Sequence, residues 1–255
     1  MQRYFISEDL WNLDDNVVLI SGEDFHHIVN VMREKTGSHF ICCHPSEQSY
    51  LVEIAEINTD KQIVHCRIIE QLDENTELPV YVTLAQGLPK GDKLDLVVQK
   101  ATELGVREFV PLKMDRSIVK WDEKKAKKKL QRLEKIAKEA SEQSHRQSVP
   151  TIANLETVQS LLNRETFDKI LIASEYEAKG ENQGTESLSE LLKGIESNDR
   201  ILVIIGPEGG ISEAELQNSI LKQAVPIRLG PRILRTETAP LYVLSVLSFY
   251  LEEWR

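Results

Sequence analysis

Three cysteines in 255 residues are too few for a disulfide-stapled scaffold, and none of Cys42, Cys43 and Cys66 stands in the C-x-x-C spacing of a zinc or thioredoxin site. They are read as reduced core thiols. Long apolar runs are missing as well. The longest nearly unbroken one, Leu241 to Leu251, falls short of the ~20 residues that cross a bilayer, and Met1 to Leu10 lacks the apolar segment of a signal peptide. A cytosolic location is the expectation. The usual nucleotide fingerprints G-x-G-x-x-G and G-x-x-x-x-G-K-[ST] are absent, which counts against a nicotinamide-dependent enzyme. No internal repeat and no low-complexity tract occurs.

What is present is 41% hydrophobic and 28% charged residues, enough to bury a core and too apolar for disorder. At roughly 150 residues per domain the length allows one large domain or two modest ones. The net charge of -10 hides an asymmetry: residues 1–75 carry -9, residues 76–150 carry +5 and residues 151–255 carry -6. Lys113 to Arg146 holds 12 basic and 6 acidic residues, among them Lys124, Lys125, Lys127, Lys128 and Lys129, with Arg132, Lys135 and Lys138 at helical spacing behind. A stripe of this kind can neutralise several phosphates, and it also reads as a solvated helix face with i,i+4 pairs.

Apolar and β-branched runs at Phe40 to Cys43, Leu51 to Ile57 and Ile63 to Ile69, separated by polar turns, predict a small β-rich domain over 1–72. The charged stretch Gln71 to Leu78, closed by Pro79, has the composition of a linker. From 73 to 255 strands and helices alternate. Strands are expected at Val80 to Ala85, Phe109 to Leu112, Ile170 to Ser174, Ile201 to Ile205 and Pro226 to Leu229. Helices are expected at Leu94 to Leu104 and near 123–146, 155–162, 188–193, 212–224 and 238–252. This predicts an α/β fold with a mainly parallel sheet. The acidic stretch 175–187 reads as a surface loop.

The sharpest local signal follows the strand Ile201 to Ile205: Gly206-Pro207-Glu208-Gly209-Gly210, then Ser212 with Glu215 three residues on as a capping box. Glycines let a ligand approach the backbone, and amides at a helix start can donate to it. Glu208 would repel a phosphate, so the loop suits a ligand with a cation or polar donors; an ordinary strand-to-helix turn reads equally well. A second loop runs from Gly230 through Arg232, Arg235, Thr236, Glu237 and Thr238 into the last helix. Consecutive parallel strands deliver their loops to one edge, so the two face a single crevice. Thr236 or Thr238 is expected as the N-cap, and Arg235 at a helix N-terminus is unfavourable unless it serves a ligand.

Taken together, LAQGLPKGDKLDLVVQKATELGV (Leu84 to Val106), EQSHRQSVP (Glu142 to Pro150), IGPEGGISEAE (Ile205 to Glu215) and LGPRILRTETA (Leu229 to Ala239) resemble the bacterial small-subunit rRNA uridine-N3 methyltransferases of the SPOUT class. The resemblance runs nearly end to end, including a start similar to that family's PUA-like RNA-binding domain. It implies a C-terminal domain with a deep trefoil knot, a homodimer, S-adenosyl-L-methionine as cofactor and 16S rRNA in the small ribosomal subunit as partner. No spacing argument finds the knot, and the general rule against threaded chains opposes it. Carried over, the resemblance places the cofactor among Ile205, Gly206, Glu208, Gly209, Gly210, Leu229, Gly230, Ile233, Leu234, Thr236, Thr238 and Ala239.

Methylating uracil N3 requires loss of the imide proton and stabilisation of charge on O2 and O4. Arg235 is the first candidate donor, with Arg116, Gln143 and Arg146 behind it. Glu103 and Glu237 are the candidate bases, each with a structural reading beside it: a helix ion pair for Glu103, a cap for Glu237. RNA contacts are expected from Arg3, Arg33, Lys124, Lys128, Arg132 and Arg146, and Tyr4 and Phe5 read equally as base-stacking or core residues. His26 and His27 lack ligand spacing, so no metal is implied. Methylation of another RNA site, such as a tRNA ribose 2′-hydroxyl, and a non-catalytic RNA-binding assembly factor stay open beside this reading.

Overall fold

The computed structural model of the chain describes residues 1–164, 167–174 and 188–254. The acidic stretch 175–187, read above as a loop, lies outside the described residues. Packing divides the chain into two units, Met1–Glu77 with Ser141–Val149, and Leu78–Ala140 with Pro150–Arg255.

The first unit is built on a six-stranded sheet: β1 (Arg3–Phe5), β2 (Trp11–Asn12), β3 (Val17–Ile20), β4 (His39–Cys43), β5 (Ser49–Asn58) and β6 (Ile63–Leu72), in the order β1-β4-β5-β6-β3-β2. Only β1 pairs parallel, on β4. Alternation does what it predicts on β5: Tyr50, Val52 and Ile54 point inward and are buried. A short helix α1 (Gly22–His26), continued by a π-helical turn His27–Val31, closes this core with Phe25 and Ile28. Neither was expected from the sequence. Tyr4 is 2% exposed, edge-on to Phe40 and hydrogen-bonded to His27, so it packs in the core and offers no ring for stacking on RNA. The three cysteines are free and buried as expected, and burial pushes the Cys66 thiol up to about 12.

Ser141–Val149 joins this unit although it lies within the stretch 73–255. The reason is a buried ion pair between Arg146 and Glu77, 2% and 5% exposed, whose carboxylate also accepts the Gln147 N–H. Arg3 donates to the Arg146 carbonyl and pairs with Glu74 at 2.7 Å. Partners 69 and 143 residues apart leave no local sequence signal.

The second unit carries an all-parallel sheet of β7 (Tyr81–Gly87), β8 (Glu108–Lys113), β9 (Thr151–Ile152), β10 (Glu156–Thr157), β11 (Lys169–Ala173), β12 (Arg200–Ile205) and β13 (Val225–Ile227). Its order is β10-β8-β7-β12-β11-β13, with β9 on β8. Ile201 to Ile205 are all buried, the continuous apolar run of a strand covered on both faces. The helices are α2 (Lys93–Glu103), α3 (Glu123–Gln143), α4 (Val158–Leu162), α5 (Leu188–Lys193), α6 (Glu213–Leu221) and α7 (Ala239–Ser248), the last continued by a π-helical turn Phe249–Trp254. On α2, Leu94, Val97, Val98 and Ala101 are buried at the expected i, i+3, i+4, i+7 positions.

Several boundaries differ from expectation, among them the ends of α3 at Gln143 and of α6 at Leu221, each three residues early. The helix expected from 155 starts at Val158, because Glu156 and Thr157 pair with β8 and Thr157 caps through its side chain. β13 stops at Ile227, so Leu229 belongs to the following loop.

Candidate functional site

Three loops leave the carboxyl edge of the parallel sheet. After β12 comes Gly206–Gly210, then α6, whose first turn is closed by the expected capping box: Ser212 Oγ accepts from Glu215 N and Glu215 Oε2 accepts from Ser212 N. A Cβ on Gly206 would sit 2.9 Å from Ile211, so only glycine allows this fold-back. Gly210 turns the chain at φ +72°, in the left-handed region. After β13 the chain runs from Leu229 to Thr238 before α7. After β7, Gln86 ties the loops together. Its buried amide donates to the Gly87 carbonyl at 3.1 Å, the Gly206 carbonyl at 3.4 Å and Thr236 Oγ1 at 2.8 Å, and Thr236 donates to the Gly206 carbonyl at 2.7 Å. Thr236 is therefore a latch between loops. Thr238 occupies the N-cap position of α7, as expected of one of the two threonines, but makes no side-chain cap bond.

Between these loops lies a cavity of about 410 Å³. One side is apolar, from Ile205, Ile227, Leu229, Ile233 and Leu234. Another carries Glu208 and Glu237, and Lys93 from the start of α2 bridges them at 3.0 and 3.2 Å. Partial burial works to raise the Glu208 carboxyl, but hydrogen bonds from backbone N–H groups, that of Lys90 included, and from Lys93 prevail and hold it below the usual carboxylate value. Hydrogen bonds to the same two carboxylates raise Lys93. The rim holds three guanidinium groups, Arg116, Arg232 and Arg235. Arg116 donates to the Gly209 carbonyl at 3.3 Å, and none of the three has a carboxylate partner among the described residues.

The family model described as "RNA methyltransferase domain" matches residues 76–248, and "RNA methyltransferase PUA domain" matches residues 20–69. The first covers more than half of the chain. The chain belongs to the RNA methyltransferase family. A relative from Bacillus subtilis (strain 168), "Ribosomal RNA small subunit methyltransferase E", is 45% identical over 254 residues, 99% of this chain and 98% of its own length. A crystal structure described only as that of a hypothetical protein shares 44% identity with a TM-score of 0.89, each chain covered in full. The Neisseria gonorrhoeae ribosomal RNA small subunit methyltransferase E, solved bound to S-adenosyl methionine, is 26% identical with a TM-score of 0.81 over 97% of both chains. The β-rich first unit thus contains a PUA domain, and the parallel sheet with its cavity makes up the methyltransferase domain.

In the methyltransferase domain, Ile205, Gly206, Glu208, Gly210, Leu229, Ile233, Leu234, Thr236 and Ala239 line the cavity together with Arg116 and Arg235. Gly209, Gly230 and Thr238 lie in the same loops without lining it. Glu103 does not line it either: it pairs with Lys100 at 2.8 Å on the last turn of α2, the structural reading of that carboxylate. Glu237 lines it as an ion-pair partner of Lys93 rather than as a cap. Arg3 and Arg146, expected as RNA contacts, are 1% and 2% exposed and bound to carboxylates, so a phosphate does not reach them. With Arg146 goes its expected role as a catalytic donor. Gln143, at the end of α3, is exposed and grouped with the first unit. Arg33, Lys124 and Lys128 are exposed; Arg132 is exposed but held by Asp95 at 2.6 Å.

Sequence reasoning missed Gln86, Lys93 and the Ala173–Ser174 corner at the end of β11. Gln86 and Lys93 both fall inside Leu84 to Val106, the first of the four resembling motifs, which was the available signal.

Proposed function

We propose that this chain uses S-adenosyl-L-methionine to methylate N3 of a uridine in 16S rRNA within the small ribosomal subunit, in the cytoplasm. The observation that carries the reading is the three-loop cavity in a chain 45% identical, end to end, to a ribosomal RNA small subunit methyltransferase E. Its donor set fits the cofactor: apolar walls for an adenosine, a volume in the ~300–1,000 Å³ range of small-ligand sites, and carboxylates beside which a sulfonium or ammonium is favoured. Ile205, Leu229, Ile233, Leu234 and Ala239 would hold the nucleoside, with the backbone around Gly206 to Gly210 and Gly230 to Thr238. When bound, the cofactor supplies an electrophilic methyl group.

The side chains divide the remaining work. Arg235 and Arg116, with no carboxylate partner among the described residues, orient the uracil and stabilise negative charge on O2 and O4 as the N3 proton leaves. Glu208 and Glu237 are engaged by Lys93, so the imide proton passes to water rather than to a dedicated carboxylate. Residues 1–72 serve as the RNA-binding module and residues 73–255 as the catalytic one, with a trefoil knot at the cofactor loops and a homodimer as the working form. Lys124 and Lys128 on α3 and Arg33 in the first unit contribute phosphate contacts, which a first unit rich in carboxylates cannot supply by net charge.

The test is transfer of labelled methyl from S-adenosylmethionine to small subunits from cells lacking this protein, followed by nuclease digestion and nucleoside mass analysis. Labelled 3-methyluridine at one site is the expected result. No label in subunits or naked rRNA, despite confirmed cofactor binding, overturns the target.

A further inference from the structure

The sheet edge that carries the cofactor-sized cavity carries a second cavity of about 620 Å³, beyond the carboxyl ends of β8 and β10. The two share a wall. Arg116 lines the first while its neighbours Asp115 and Ser117 line the second, and the entry to α6 places Ile211 on one side and Ala214 and Glu215 on the other. The methyl transfer derived above leaves this second cavity without a task.

Its chemistry is one-sided. Lys113, Lys120 and Lys222 line it, all exposed and without an ion-pair partner among the described residues. The two lining carboxylates are already occupied: Asp115 accepts from Ser212 Oγ at 2.8 Å, and Glu215 accepts from the N–H groups of Asp115 and Ser212. Val158 and Leu162 give an apolar floor, and Leu221 stands 81% exposed at the margin. Gln159 and Asn218 add two amides that donate and accept, with no side-chain hydrogen bond among the described residues. In the shared wall the buried Ser117 hydroxyl has no hydrogen-bond partner among the described residues, a cost that native structures seldom leave uncompensated.

Ammonium groups at the opening, an apolar surface for a flat ring and amides for its polar edge match one chemical unit, a nucleotide with its phosphates. Sequence-specific RNA recognition acts on unstacked bases, and a strand that presents one base to a methyl donor has neighbours that must be placed somewhere. We propose that the cavity beside β8 holds an unstacked nucleotide of the RNA substrate adjoining the methylated one, its phosphates on Lys113, Lys120 and Lys222 and its base edge on Asn218 and Gln159. The inference rests on the substrate being RNA, as proposed above. It places the Arg116 loop between target and neighbour, so that seating the neighbour helps to position the target.

The experiment uses the full-length protein and small subunits from cells lacking it. The triple variant Lys113→Gln, Lys120→Gln, Lys222→Gln is expected to raise KM for subunits at least tenfold, and to flatten the salt slope of RNA binding by about 2, from three lost contacts at ~0.7 each. Asn218→Leu, which changes no charge, is expected to raise KM with the salt slope kept; Lys193→Gln, on α5, serves as the control that moves neither. A single-stranded RNA carrying 4-thiouridine is expected to photo-crosslink within 113–120 or 214–222. Unchanged KM and slope in the triple variant, or crosslinks confined to other segments, overturn the proposal. So does displacement of those crosslinks by micromolar uridine monophosphate, which would make the cavity a site for free nucleotides. If wild-type protein crosslinks here yet never methylates subunits, the reading of function fails and this one stands; normal methylation with an unaffected triple variant does the reverse.

Discussion

The two compact units use the same residue to opposite ends. In the β-rich unit Arg3 and Arg146 are sealed from water, each fixed by a carboxylate, and they tie together segments far apart in the chain. In the parallel-sheet unit Arg116, Arg232 and Arg235 stand at a cavity mouth with no carboxylate partner among the described residues. A guanidinium is always charged, so its surroundings alone decide whether it is spent on folding or kept for a ligand. Carboxylates divide along the same line. Glu77 is buried to hold a loop, whereas Glu208 and Glu237 share one lysine at the edge of a ligand-sized space.

Breaking the contrast at its strongest point means removing Arg146. Arg146→Ala strands the Glu77 carboxylate in the interior, and urea unfolding should register a loss of about 3–5 kcal/mol. A cost under about 1 kcal/mol would move this pair to the weak class of surface bridges. On the other side, Arg235→Ala should leave stability within about 0.5 kcal/mol while lowering kcat for methyl transfer about 100- to 1,000-fold. An Arg235→Ala protein with normal turnover would end its assigned role. Reversing Lys124, Lys127 and Lys128 to Glu should weaken subunit binding about tenfold or more and flatten its salt dependence. Unchanged filter binding would remove α3 from the RNA surface.

The smallest effect is expected at Lys93. Lys93→Met frees two carboxylates beside the cavity and should change cofactor affinity a few-fold by calorimetry, the scale of an exposed ion pair. The bridge also sets a pH window. The Glu208 carboxyl is held below its ordinary value of about 4.5, so its contribution is complete above that value and is lost as pH falls through the lowered one. Lys93 is raised above about 10.5, so its share is complete below that pH and lost on further alkalinisation. Cofactor affinity should therefore be flat with respect to this bridge between those limits and fall only beyond them. A midpoint near neutrality that vanishes in Lys93→Met would contradict the assignment.

Legibility followed the range of the interactions. The strand at Ile201 to Ile205, the capping box of Ser212 and Glu215 and the buried stripe of α2 rest on contacts within a few residues, and each appears where the sequence placed it. Two misreadings shared one cause. Arg3 and Arg146 counted as cations available to RNA because a charge in a sequence shows no partner, and theirs come from Glu74 and Glu77, across the fold. Thr236 counted as one of two candidates for the cap because its local setting is that of a cap, while its actual partners, Gln86 and Gly206, are 150 and 30 residues away.

By itself the sequence determined the class of sheet, the identities of the two glycine loops and the family motifs, because backbone propensity, hydrophobic period and glycine placement act locally. Only the tertiary structure decided which charges remain free. The Lys93 bridge, the Gln86 latch and the burial of Arg146 each join side chains that the chain separates widely, and pairing at such distances exists only once the fold has brought those segments together.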